Sequence, residues 1–417
     1  MLQDDDYRRE MSLKKLHIFV TIAVMMALIL SGCGGEDTGT TKGEEVESTS
    51  SDSAEGSPEE AAEGPIVLGM YEPLSGPSAY YGQSAVNGAR MAESEINEAG
   101  GILGRRLVLV TEDTEGDVTG TSSAVKKLIT QDEVSGLIGA FYSSSTLAAM
   151  PLLERYEVPD ITGVSTSPEI TQKGNQWIFR SVATDAMNSA PYVEYMVDEL
   201  GHSTFAFLAS DGDFGRDAVA AYSPLIEESG GEVLDEMYFA DTETDFRSRL
   251  TTVRQLEPDV LVLVSEGAAG ALVAKQARQM DLPATIMGIG TQAEQEFIET
   301  AGEGAEGVYC ATSYVASIDT PENEEFVAKY QGLYEDEPTE YSLAEYQDVY
   351  IFSQAIERAG SDDRTAIRDA LKETDYTGIS GRIAFDENNQ AHPWVFITEI
   401  VDGNLTIAKK AEAAQVQ

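Results

Sequence analysis

Histidine and cysteine are almost missing from this chain of 417 residues. His17, His202 and His392, with Cys33 and Cys310, are the whole supply. So few residues cannot build a Cys/His metal cluster, and no metal or other cofactor is called for. Cys310 sits in an apolar stretch, Gly307-Val308-Tyr309-Cys310, and reads as core rather than as a reactive thiol. Positive charge is also short: 27 Lys and Arg stand against 73 Asp and Glu, a net charge of −46. That excludes the basic surface that nucleic acids or anionic head groups require. Lysine is rarer than arginine. An acid-rich, lysine-poor surface suits a saline habitat, where counterions screen self-repulsion, and equally an ordinary acidic exported protein.

Long apolar runs are scarce, and the one at 18–30 has a specific reading. It carries no charge and follows Lys14 and Lys15. A membrane-spanning helix needs ~20 apolar residues, whereas the core of a secretion signal needs ~7–15. Leu30-Ser31-Gly32-Cys33 comes next. Small residues before a cysteine are what a lipoprotein signal peptidase accepts, so residues 1–33 are expected to be a lipoprotein signal with lipid on Cys33. With Cys33 lipidated, only Cys310 remains, and no intramolecular disulfide is possible. Residues 34–64 hold Gly, Ser, Thr and acids with little to bury. Such composition does not offset the entropy of ordering and is expected to form a disordered acidic tether. The localisation that follows is the outer face of the cytoplasmic membrane, with the membrane as partner through the lipid alone.

From Pro65 onward roughly 350 residues remain, enough for two domains. Short apolar runs at 66–71, 107–110, 136–140 and 158–162 alternate with helical periodicity at 83–99 and 121–130. The cycle resumes with strands expected at 205–208, 233–239, 260–264 and 285–287, separated by helices at 216–228, 246–256 and 269–280. This alternation predicts an α/β protein with two doubly wound parallel-sheet lobes. In such sheets ligands sit beyond the carboxyl ends of the strands. Four loops there, 72–82, 141–146, 163–168 and 209–215, are rich in Ser, Thr, Gly and Tyr. Hydroxyls and free N–H groups at a helix start make an anion site, although Ser and Thr also cap helices everywhere. Ser143-Ser144-Ser145-Thr146 and Ser165-Thr166-Ser167 read as two halves of a carboxylate clamp.

The ordered set of short motifs resembles type I periplasmic binding proteins, specifically the branched-chain amino acid (Leu/Ile/Val) receptors of ABC transporters. The matching segments are Pro73-Leu74-Ser75-Gly76-Pro77 with Tyr81-Gly82, Glu95-Ile96-Asn97, the two serine-rich loops with Pro168-Glu169, and Phe179-Arg180. Phe214-Gly215, Thr244-Asp245-Phe246, Gln276-Ala277-Arg278 and Ala305-Glu306-Gly307-Val308 follow in family order. The resemblance implies two lobes joined by a three-strand hinge, 65–183 with 313–380 and 184–312 with 381–417, which close on a ligand. It implies that Ser143 and Thr166, with Ser165 in the same loop, hold a ligand carboxylate. The carbonyl of Val164 would accept from an ammonium, and Tyr81 and Phe214 would flank the ligand body. The implied partners are a small-molecule ligand and an ABC permease with its ATPase, the receptor itself being a monomer.

Two departures from the family pattern bear on the ligand. The position matching the family's ammonium-binding glutamate is Gly290, which has no side chain to offer. Glu266, after the strand at 261–264, is the substitute expected, and Asp185 near the first crossover is another candidate. Without such a carboxylate, an amide, a urea-like molecule or a small carboxylic acid becomes the ligand instead. Positions that hold a disulfide in some relatives are Glu115 and Tyr142, which puts Tyr142 beside the clamp. Enzyme readings are weaker. Gly288-Ile289-Gly290-Thr291-Gln292-Ala293 fits a loose dinucleotide pattern but lies deep in the chain, not in an opening βαβ unit. No nucleophile-elbow sequence surrounds a serine. A sensory receptor of the same fold stays open as an alternative; it is expected to continue into a spanning helix, or to signal through a separate partner.

Overall fold

The computed structural model describes residues 64–412 apart from Gly267. The signal segment, Cys33 and most of the tether lie outside these residues. Strand β1 (Ile66–Glu72) sets the first lobe, because its apolar residues have helices to face on both sides. It pairs in parallel with β2 (Leu107–Asp113) and with β3 (Gly136–Gly139). β4 (Asp160–Thr162) and β5 (Ile178–Arg180) extend the sheet, also in parallel, to the order β2-β1-β3-β4-β5. Helix α1 (Ala79–Glu98) buries Val86, Ala89, Ala92 and Ile96 against this sheet, the i, i+3, i+4 spacing of a single face. Helices α2 (Val118–Thr130), α3 (Ser143–Tyr156) and the short α4 (Glu169–Gln172) follow β2, β3 and β4.

The chain then crosses to the second lobe through α5 (Asp185–Glu194), which Thr184 caps by accepting from the Met187 N–H. The second sheet contains β6 (Thr204–Ser210), β7 (Glu232–Phe239), β8 (Val260–Ser265), β9 (Thr285–Gly290) and β10 (Tyr309–Thr312). Its interior strand β8 reads Val-Leu-Val-Leu-Val and is wholly buried, as a parallel strand covered on both faces requires. The edge strand β7 instead mixes Glu232, Asp235 and Glu236 with apolar residues, which discourages further pairing. Helices α6 (Asp213–Glu228), α7 (Arg247–Leu256), α8 (Ala268–Gln279) and α9 (Gln295–Ala301) connect the strands.

After β10 the chain returns to the first lobe as α10 (Pro321–Tyr334), α11 (Glu340–Ala359) and α12 (Arg364–Leu371). Val349, Phe352 and Ile356 of α11 share a core with Leu68, Met70 and Ala89. The two helices approach very closely at Gly88, where a Cβ would stand 1.9 Å from the Ser342 carbonyl oxygen. A small hairpin of β11 (Tyr376–Gly378) and β12 (Gly381–Ile383) precedes the last crossing. The described residues close with β13 (Trp394–Val401) and β14 (Asn404–Glu412).

The α/β alternation and the two parallel sheets agree with the sequence reading, with one correction. The second sheet is mixed: β13 runs antiparallel to β10, and β14 antiparallel to β13, giving the order β14-β13-β10-β9-β8-β6-β7. The cause is local. Asp402 and Gly403 both have positive φ, 51° and 73°, the two-residue turn that matches strand twist in a hairpin.

Candidate functional site

The strand ends of both sheets converge on a cavity of about 70 Å³. The first lobe supplies two laced loops. Ser143 opens α3, and its Oγ accepts from the Ser167 N–H at 3.3 Å. In the neighbouring loop, Ser165 Oγ donates to the Ala140 carbonyl at 2.7 Å and pairs with Thr146 Oγ1 at 2.8 Å. Beneath them the wholly buried Arg180 donates to the carbonyls of Ser165 and Ser167, to Thr171 and to Gln390. Burial pushes its guanidinium down to about 9. The contacts made by Ser143, Thr146, Ala140 and Arg180 fix the loop at 163–167, which bends at Gly163 and Val164. Its residues alternate in orientation: Val164 and Thr166 line the cavity, whereas Ser165 and Ser167 are buried inward.

The second lobe supplies Phe214 at the start of α6, Glu266 after β8, and Ile289 and Gly290 at the end of β9. Gly290 has φ 114°, and a Cβ there would lie 2.2 Å from the Ser265 carbonyl oxygen. A glutamate cannot occupy this position without moving β8, so the acid that lines this wall is Glu266. The lobes meet at two places beside the cavity. Ser167 Oγ donates to Asp217 Oδ2 at 2.5 Å, and the Tyr81 hydroxyl lies close enough to Glu296 and Glu294 to feel their charge.

Six of the nine residues expected at the site line the cavity: Ser143, Val164, Thr166, Asp185, Phe214 and Glu266. Three stand behind the wall. Tyr81 is stacked on Phe141 with ring centroids 5.3 Å apart and meets Tyr341 edge-on at 5.5 Å. It therefore supports Phe141 and Tyr341, which carry the aromatic wall in its place. Tyr142 turns away, its hydroxyl bonded to Ser78, and its ring lies 3.5 Å from where a side chain at Gly116 would begin. Ser165 points inward for the alternation just described. Residues not anticipated are Phe141, Asn188, Tyr222, Glu340 and Tyr341. Glu340 and Tyr341 carried a readable signal, since Pro338-Thr339 before Glu340 is a helix start whose Thr339 caps the Ser342 N–H.

The electrostatics of the wall are one-sided. Asp185 is 3% exposed; its N–H donates to the Thr166 carbonyl at 3.3 Å, its carboxylate bonds the Thr166 side chain, and Oδ2 has no partner. Burial pushes it up to about 7, with Asp217 adding repulsion and Thr166 and Arg180 opposing. Glu266 is raised well above the usual carboxylate range by burial first, then by Asp241 and Asp185. Glu340 is raised by burial too, but its Oε2 already accepts from Thr312 Oγ1 at 2.6 Å and from the Ser313 N–H and hydroxyl. No Lys, Arg or His lines the cavity among the described residues. Nor, among the described residues, is there a group of three His, Cys, Asp or Glu able to hold a metal ion.

Residues 65–404 match the periplasmic binding protein family profile. A Leu-, Ile-, Val-, Thr- and Ala-binding protein of Pseudomonas aeruginosa is 27% identical over 322 residues, covering 77% of this chain and 86% of that one. Among solved structures, the leucine binding protein LivK of Thermotoga maritima superposes with a TM-score of 0.77 at 27% identity, covering 83% of this chain and 98% of that one. A solute binding protein of an ABC transporter from Rhodopseudomonas palustris, in complex with 3,4-dihydroxybenzoic acid, gives a TM-score of 0.78 at 24% identity, covering 85% and 99%.

Proposed function

Because the chain belongs to the periplasmic binding protein family, we propose that it is an extracytoplasmic solute-binding receptor, not an enzyme, which captures a branched-chain or similar amino acid and delivers it to an ABC importer. The observation that carries this reading is the pairing of unlike chemistries across one cavity. On one side stand two hydroxyls, Ser143 and Thr166, with the N-terminal end of α3, a setting suited to a carboxylate. Around them stand Asp185, Glu266 and the Val164 carbonyl, a setting suited to an ammonium. Phe141, Phe214 and Tyr341 offer flat apolar faces for the body between. An aromatic acid without an ammonium would leave both carboxyl groups without a cationic partner, so the amino acid is favoured over a benzoate-like ligand.

The test is calorimetric. A hydrogen bond to a charged group contributes about 1.5–3 kcal/mol, so Ser143→Ala and Thr166→Ala should each weaken amino-acid binding roughly tenfold or more. Affinity unchanged in both variants would remove the clamp from the account. The proposed membrane attachment has its own check. Cys33→Ala should release a folded, binding-competent protein from the membrane fraction, whereas a variant that resists a salt and carbonate wash would exclude the lipid anchor.

A further inference from the structure

The cavity has more carboxyl groups than one ammonium can match. Asp185 and Glu266 both line it, and neither forms an ion pair among the described residues. Arg180 is close enough to be felt by Asp185, yet its donors are spent on Gln390, Thr171 and two carbonyls. Glu340 is not a third free acid, because Thr312 and Ser313 occupy its Oε2. Asp217 and Asp241 lie next to the two unpaired acids and add repulsion. A zwitterion with an apolar side chain brings one positive centre and one negative centre. It would leave one of the two carboxyl groups without a counter-charge, so that group would have to stay protonated, whereas a second cation on the ligand could pair with its ionised form.

We infer that the cleft selects an α-amino acid with a second cationic group on its side chain, Asp185 facing the α-ammonium and Glu266 the distal cation. The roles follow from position. Asp185 is hydrogen-bonded to Thr166, so it stands on the clamp side, where the α-carbon substituents of the ligand must lie. Glu266 comes from the other sheet, beside Phe214 and Gly290. This inference rests on the amino-acid reading above but narrows it to the basic class.

The empty cleft tolerates the two acids by keeping protons on them, since burial raises both. A dicationic side must then displace protons, and binding near neutral pH should release them to the buffer. The experiment is calorimetry on the full chain with L-lysine, L-ornithine, L-norleucine and 1,4-diaminobutane, in two buffers of different ionisation enthalpy. Norleucine matches the lysine side chain without its ammonium. Lysine or ornithine should bind at least tenfold more tightly than norleucine, with buffer-dependent enthalpy. Glu266→Gln should bring lysine within about threefold of norleucine, and Asp185→Asn should weaken both. The parent comparison needs no variant, so a misfolded variant leaves the inference testable. Norleucine binding as tightly as lysine and ornithine overturns the inference and leaves the amino-acid receptor standing. Diaminobutane binding with no amino acid bound overturns the amino-acid reading, and binding of none of the four overturns both.

Discussion

Gly290 decides which residue serves the second lobe's wall. Its φ of 114° lies where L side chains rarely go, and Ser265 blocks the space a Cβ would need. Gly290→Ala should therefore cost at least about 1–3 kcal/mol of stability, read as a lowered denaturant midpoint. An unchanged midpoint would mean that β9 relaxes freely and that the glycine is incidental. The missing side chain at Gly290 is legible in the sequence and points to Glu266, because the end of an apolar strand is a cleft position in this architecture. That Tyr81 and Tyr142 stand behind the wall is not legible there. Both are aromatic residues in the right loops, and which way each ring turns depends on contacts with Tyr341 and Ser78, distant in the chain. Ser165 was closer to legible: in an extended run, neighbours face opposite ways, so Thr166 and Ser165 cannot both reach one ligand.

At the scale of elements, α11 does more than cover the first sheet. It drives Glu345 and Asp348 into the core opposite Glu72 of β1 and Asp160 of β4, and all four are wholly buried. Tyr71 donates to Asp160 at 2.5 Å and the Phe141 N–H to Glu72 at 3.0 Å. Both carboxylate oxygens of Glu345 and of Asp348 lack partners. Burial raises all four, Asp348 to about 8. A carboxyl whose folded value lies above its unfolded one stabilises the fold below the ordinary carboxylate range. That stability is lost as pH rises through the folded value. Stability should thus fall between pH 5 and pH 8, by about 1.4 kcal/mol per pH unit for each group lying between its unfolded and its folded value, and level off for a group once its folded value is passed. Asp348→Asn should flatten that fall, and a parent protein equally stable at both pH values would show that the cluster does not hold protons. None of this was legible beforehand, because α11 falls in 313–380, a span assigned by resemblance with no element read from its own pattern. The hairpin at Asp402-Gly403 was different: the turn signal was there to read in the two residues themselves.

For the whole molecule, the account depends on two lobes acting on one solute. Ser167 of the first lobe already meets Asp217 of the second, and Tyr81 lies near Glu294 and Glu296. The architecture was legible because buried parallel strands leave an apolar signature such as 260–264, and because helices between them keep a single face. The antiparallel end of the second sheet was legible only in its Asp402-Gly403 turn, since nothing in that turn says that β13 pairs with β10. The most direct measurement is hydrogen–deuterium exchange with and without a saturating amino acid. The account predicts slowed exchange in both lobes at once, at 141–146 and 163–168 in the first and at 264–268 and 289–292 in the second. Protection confined to one lobe, or no change in either, would contradict capture by closure.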